Sequence, residues 1–238
     1  MSDSTSHRTP PSHAYRRHVK WGANADYRAY KARTKDGIGY LLIIGWQEEV
    51  DVERLVGAIA EMMDAKALVI DVRMNTGGDE RIARQVASWF VEGTHVYARN
   101  RSRTGPGADG FGEIHDRKIT GHDAVYDRPV AVLAGPRVMS ANESFVLMMK
   151  QARDAMIVGQ TTSGSSGNPK PHDLGNGITI MLPSWQALRP DGTCWEGEGI
   201  APDVAPAGTS RTAIPAWTRR SNCCARRLPR ASDVCELN

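Results

Sequence analysis

A chain of 238 residues and 26.0 kDa can bury one good core, or one core with a small appendage, which excludes a large multidomain machine in a single polypeptide. With 40% apolar and 24% charged residues and a formal charge of +3, the composition is that of an ordinary globular protein and argues against nucleic acid as a partner. No run approaches the roughly 20 apolar residues of a membrane span, and the opening MSDSTSHRTPPSH lacks the apolar segment of a signal peptide, so the chain as written is expected in the cytoplasm.

Residues 1–24 carry much Ser, Thr, Pro and His with little to bury, and are expected to be a disordered N-terminal segment. The core is expected over residues 25–206. From Ala25 the run reads as strand, a Lys35-Asp36-Gly37 turn and a second strand, because Asp-Gly between β-rich runs favours a hairpin. DVERLVGAIAEMMDA places Val52, Leu55, Ile59, Met62 and Met63 at helical spacing, and ALVIDVR is a short apolar run, hence helix followed by buried strand. The order recurs: DERIARQVASWFVE is amphipathic, PVAVLAG a buried strand, SANESFVLMMKQA a helix and AMIVG another buried strand. Such alternation predicts an α/β core with parallel strands, in which Leu68–Val72 pairs with Val130–Leu133.

Beyond Val158, TTSGSSGNPKPHDLGNG reads as a long surface loop, and ITIMLPSW with the following Pro190-Asp191-Gly192 turn as a C-terminal β-hairpin region. The stretch GPGADGFGEIHDRKITGHD reads as a loop or a flap. Residues 207–238 form an irregular basic tail without a sustained period, and truncation there is expected to leave stability nearly unchanged. Cys194 stands in the body while Cys223, Cys224 and Cys235 crowd the tail, a spacing that predicts thiols rather than a disulfide framework.

Two predicted strand-to-helix junctions carry the chemistry. A helix N-terminus directs unpaired N–H groups at developing negative charge, which suits acyl transfer. The first junction, Asn75-Thr76-Gly77-Gly78, lets backbone approach a ligand where no side chain intervenes. The second puts Ser140 at the start of a helix, where Ser140-x-x-Glu143 also fits a capping box; on local pattern alone the cap is the plainer reading. Asp71 and Arg73 read as structural partners beside the glycine turn, Asp191 as a turn residue, and Trp89, Phe90, Met148 and Met149 as core. His115 and His122 with Asp116 and Asp123 are too loosely spaced for zinc, and neither metal nor cofactor is expected.

Taken in order, VIDVR-N-x-GG, PVAVLxGPRxxSAxESF, AMIVGQTTSG and RPDGTxxEGxGIAPDV resemble the framework of the serine peptidase family that holds the C-terminal processing peptidases, the tricorn core and the interphotoreceptor retinoid-binding modules. The resemblance runs from about Gly37 to Val204. It implies a ClpP/crotonase-like α/β core with Ser140 at the nucleophile position and the amides of Ala141 and of Gly77 or Gly78 as the oxyanion site. It also implies that Glu196 matches the acidic residue of the tricorn branch. Two departures follow: Ser165 stands where the processing peptidases have a lysine base, and Leu42 where the tricorn branch has a histidine.

A substitute base is sought in NPKPHD, where Lys170 requires desolvation to act at neutral pH and His172 has a suitable ordinary pKa; both also read as plain exposed cations. The resulting expectation is hydrolysis of peptide bonds in a peptide or unfolded protein through a Ser140 acyl-enzyme. The competing expectation is a family member without activity that binds an apolar ligand or a peptide. Nothing in the sequence indicates an oligomer.

Overall fold

The structure is a computed structural model that describes residues 29–47, 52–107 and 110–205. The expected N-terminal segment, the basic tail, its three cysteines and the effect of truncating it all lie outside these residues. Its centre is a five-stranded sheet in the order β1-β2-β3-β6-β7, built from β1 (Ala29–Arg33), β2 (Ile38–Ile43), β3 (Ala67–Asp71), β6 (Val130–Ala134) and β7 (Ala155–Gly159). β1 and β2 form the antiparallel hairpin that Asp36-Gly37 predicts, with Gly37 at φ 84°. The other pairings are parallel, and Leu68 faces Val130 while Asp71 faces Leu133, as the buried runs predict.

Among the described residues, three α-helices flank this sheet. In α1 (Val52–Ala60) the buried residues are Leu55, Ala58 and Ile59, the stripe that the 3.6-residue period places on one side. α2 (Glu80–Ala87) buries Ile82, Ala83, Val86 and Ala87 and starts at Asp79, whose carboxylate accepts the Arg81 amide at 2.8 Å. α3 (Ala141–Met149) is buried on every side, Glu143 included. It packs between α2, the sheet and a further strand, β4 (Thr94–Arg103), so no polar stripe is needed. Met148, Met149 and Phe90 are core as expected, and Trp89 is half-buried, stacked on His122 at 4.0 Å.

The remaining strands correct the sequence in two places. GPGADGFGEIHDRKITGHD is largely a strand, β5 (Phe111–Thr120), paired antiparallel with β4 (Thr94–Arg103). Its polar residues face solvent, while Arg117 and Ile119 turn inward. The expected long loop also contains a strand: β8 (Pro169–Asp173) pairs with β9 (Thr179–Pro183) in an exposed two-stranded ribbon. β10 (Trp185–Leu188) does not pair with β9 but joins the far side of β4. The Pro190–Gly192 turn does form, closed by the Arg189 amide on the Thr193 carbonyl at 2.8 Å. Asp191 accepts both the amide and the hydroxyl of Thr193, as a turn residue does. Cys194 forms no disulfide, and no helix among the described residues is long and apolar enough to cross a membrane.

Candidate active site

Because β3 and β6 are parallel neighbours, the turns leaving their carboxyl ends emerge side by side. After β3, the buried Asn75 side chain accepts the Gly77 amide at 2.8 Å and shapes the glycine turn. Gly77 and Gly78 sit at φ 107° and 134°, conformations that L residues rarely adopt. A Cβ on Gly77 would stand 2.8 Å from the Ser140 Cβ, and one on Gly78 would stand 2.2 Å from the Trp46 carbonyl oxygen. Only glycine lets this turn press against both the Ser140 junction and the segment after β2.

After β6 the chain passes through Gly135 and Val138 to Ser140, which precedes α3 at φ 55° and ψ −132°. This is a strained backbone for a residue with a Cβ. Its amide is bonded to the Ser165 carbonyl at 2.7 Å. The capping box is not present: the Ser140 hydroxyl makes no bond to the first turn of α3. Glu143 instead turns inward and accepts from Thr162 Oγ1, the Gly164 and Ser165 amides and Ser166 Oγ at 2.6–2.9 Å. The reason is that loop 162–166 offers the Glu143 carboxylate four donors. Asn142 locks the junctions together. Its Nδ2 donates to the carbonyls of Val72 and Asn75 at 3.0 and 2.9 Å, and its Oδ1 accepts Trp46 Nε1 at 3.1 Å.

A cavity of about 190 Å³ opens beside Ser140, bordered by Gly78, Asp79, Glu80, Arg117, Ala141 and Ser144. Ser166, Asn168 and Trp185 complete it. The Gly77 amide is taken by Asn75, whereas the amides of Gly78 and Ala141 have no acceptor among the described residues. Two residues from different junctions whose amides lack an acceptor among the described residues thus border the same cavity as Ser140.

Behind Ser140 lie two carboxyl groups on either side of Ser166. Glu143 holds the Ser166 hydroxyl at 2.9 Å, and Glu196 accepts the Ser166 amide at 3.1 and 3.2 Å. Burial pushes Glu196 up to about 7, opposed by the Ser166 amide and assisted by the negative charge of Glu143. Burial also raises Glu143, against the pull of its four donors. Ser166 Oγ lies 3.3 Å from the Ser140 carbonyl oxygen. Arg117, also at the cavity border, is only 9% exposed, and its guanidinium pairs with Glu80 and donates to Ser144 Oγ at 2.8 Å.

Of the residues singled out in the sequence, Ser140, Gly78 and Ala141 are brought together at the cavity, with Gly77 directly behind. Glu196 reaches the site through Ser166. Lys170 and His172 are exposed on β8, two and four residues beyond the cavity residue Asn168, and neither borders the cavity. Leu42 is buried with Ala32 and Tyr40 in a small cluster apart from the main core. Asp71 and Arg73 are structural as expected: Arg73 pairs with Asp71 at 2.6 Å, and Tyr40 donates to the same carboxylate at 2.9 Å. His115 faces solvent, and no cluster of His, Cys, Asp or Glu suited to a metal occurs among the described residues. Arg117, Ser166, Asn168 and Trp185 escaped the sequence reading; only the placement of β5 and β10 beside β4 brings Arg117 and Trp185 to the cavity.

The site is thus a strained serine at a strand-to-helix junction of a mostly parallel α/β sheet, beside two amides that lack an acceptor among the described residues. The sequence model of peptidase family S41 matches residues 37–205, and the chain belongs to that family. It is 27% identical over 170 residues to the carboxy-terminal processing protease CtpB of Bacillus subtilis, a match covering 71% of this chain and 34% of that protein. With the carboxy-terminal-processing protease of Bartonella bacilliformis it shares 27% identity over 183 residues, covering 74% and 40%. The chain therefore spans well under half the length of these relatives. Among solved structures, a candidate peptidase from Parabacteroides merdae superposes with a TM-score of 0.70 at 28% identity, covering 78% of this chain and 59% of the other. Mature CPAF shares the fold at a TM-score of 0.66 and 19% identity, covering 79% and 51%. The core is thus of the ClpP/crotonase-like kind.

Proposed function

We propose that this chain hydrolyses peptide bonds by a serine acyl-enzyme route, with Ser140 as nucleophile. The observation that carries the reading is the conformation of Ser140: its backbone is strained, its hydroxyl makes no bond to the helix start, and it borders a cavity together with Gly78 and Ala141, whose amides have no acceptor among the described residues. Strain of this kind is retained where a mechanism uses it. The two amides are the oxyanion donors; the Asn75 bond withdraws Gly77 from that duty and leaves it a shaping role.

For the proton, Ser166 and the carboxyl pair behind it are the best-supported route. The Ser166 hydroxyl, which donates to Glu143 at 2.9 Å and to the Ser140 carbonyl at 3.3 Å, has to turn to the Ser140 hydroxyl to carry its proton to Glu143; Glu196, which accepts the Ser166 amide and has a pKa near 7, is the second carboxyl beside that route. Attack of the Ser140 oxygen on the scissile carbonyl breaks the C–N bond, the relay returns the proton to the leaving amine, and water then hydrolyses the ester. The second route, a base on β8, keeps Lys170 and His172 as candidates because that strand departs from the cavity residue Asn168.

The cavity border includes Asp79, Glu80, Arg117, Ser144 and Ser166, groups that the amides and carbonyls of a peptide can meet. A fluorophosphonate probe tests the reading directly. Labelling at Ser140 that is absent from Ser140→Ala, together with cleavage of an unfolded protein, is the expected outcome. Failure of wild type both to label and to cleave returns the chain to the class of binding modules.

A further inference from the structure

The sheet of β10, β4 and β5 has two faces. Trp185 and Arg117 border the cavity on one, and by strand alternation Gln186, Arg99 and Arg101 stand on the other. On this outer face Arg101 and Arg103 share the ring of Phe111, their guanidinium carbons 4.6 and 4.4 Å from its centroid. Phe111 belongs to β5, which pairs with β4 alone among the described strands, so both guanidinia lie over the outermost strand of the sheet.

Each guanidinium is oriented without being neutralised. Arg101 Nε donates to Gln186 Oε1 at 2.7 Å, and Arg103 Nη1 donates to the carbonyls of Gly105 and Gly107 at 3.1 and 2.9 Å. Neither pairs with a carboxylate among the described residues, whereas Arg99 on the same strand is met by Asp116 at 2.9 Å. Two like charges held on one ring repel each other unless an anion comes between them. Both amino groups of Arg101 and the Nη2 of Arg103 are left for such an anion, in the fork geometry that suits carboxylates. Ile114, 52% exposed and opposite Arg101 in the register, adds apolar surface beside them.

We propose that this outer face is a docking surface for an acidic segment of another polypeptide, whose Asp or Glu side chains pair with Arg101 and Arg103. Charge complementarity selects an anionic partner, and the setting selects a polypeptide. The ring on which a nucleic-acid base would stack already carries both guanidinia, and Ile114 offers contact to an apolar side chain rather than to a sugar-phosphate backbone. The surface lies across the sheet from the cavity, so the proposal stands apart from hydrolysis at Ser140.

Binding to the full Ser140→Ala chain tests it, with no turnover of the probe on the function proposed above. The probes are a blocked, dye-labelled peptide of alternating Glu and Ser, its Gln counterpart, and a single-stranded oligonucleotide of equal charge, all read by fluorescence anisotropy. The Glu peptide is expected to bind about tenfold tighter or more than either of the others, the scale of one charged hydrogen bond. Arg101→Gln and Arg103→Gln should each lower that preference, and the double variant should erase it. Lys35→Gln/Lys66→Gln removes as much charge from exposed positions beside the β1–β2 turn and should leave the preference in place. Equal binding of the Glu and Gln peptides, no binding by any probe, or an oligonucleotide as tight as the Glu peptide overturns the proposal. So does a preference that survives the double arginine variant or falls as far in the lysine variant.

Discussion

At residue 140 the backbone and the side chain have opposed interests. A Cβ at φ 55° costs on the order of 1–2 kcal/mol, which glycine avoids while losing about 0.5–1 kcal/mol to its greater freedom when unfolded. Ser140→Gly is therefore expected to be more stable than Ser140→Ala by up to about 1 kcal/mol, a rise of a few degrees in Tm by calorimetry, while both variants lose probe labelling. A Gly variant less stable than the Ala variant would show that the surroundings relieve the strain. Glu196 gives a second signature. Its folded pKa of about 7 lies above its ordinary value of 4.5, so the folded state holds the proton more tightly. The stability this contributes is complete below about 4.5 and is lost as pH rises through 7, amounting to on the order of 3 kcal/mol. Activity should move the other way, rising as the carboxyl pair ionises. Glu196→Gln should flatten both profiles between pH 4.5 and 7 and lower the rate by roughly 10²–10⁴-fold; a Tm profile unchanged by the substitution would remove Glu196 from the relay.

Among the elements, α3 decides the site, because its first turn carries Asn142 and Glu143 and its approach carries Ser140. Asn142→Asp keeps the shape but removes the donor that serves Val72 and Asn75, leaving two buried carbonyls facing a carboxylate. A loss of roughly 3 kcal/mol or more is expected in denaturant unfolding, together with loss of labelling as the β3 and β6 turns separate. A stable, fully labelled variant would show that the turns hold without this clasp. The junctions themselves were legible in the sequence because each is local: an apolar run, then glycine or serine, then a helical period. The inner wall was not. Arg117 stands between Asp116 and Lys118 in a charged, glycine-flanked stretch, and only pairing with β4 reveals that it points inward. Ser166 likewise reads as one serine among several until Glu143 and Glu196 are seen on either side of it. The capping box failed for a related reason, since sequence shows the spacing of Ser140 and Glu143 but not the donors awaiting Glu143 in loop 162–166.

On the scale of the whole molecule, the β8–β9 ribbon is the one described pair of strands whose side chains are nearly all exposed. Its ends lie close together, with Ser184 Oγ donating to the Asn168 carbonyl at 2.6 Å. Replacing residues 169–183 by a two-glycine turn should leave Tm within a few degrees and, on the Ser166 relay, preserve hydrolysis of the probe substrate; abolition with the fold intact would return the base to Lys170 or His172. The parallel order of the sheet was legible because buried strands and helices alternate, whereas the ribbon was hidden by the prolines at positions 169 and 171 and by its glycines. Exposed edges tolerate such residues. The distribution of the site along the chain has a consequence for synthesis. The amide of Gly78, the hydroxyl of Ser140 and the carboxyl of Glu196 leave the ribosome in that order, and the Ser140 amide and Glu143 are secured by loop 162–166. On the proposed mechanism, a nascent chain exposes its serine long before the relay behind it exists, and would gain activity only once the last third of the fold has docked.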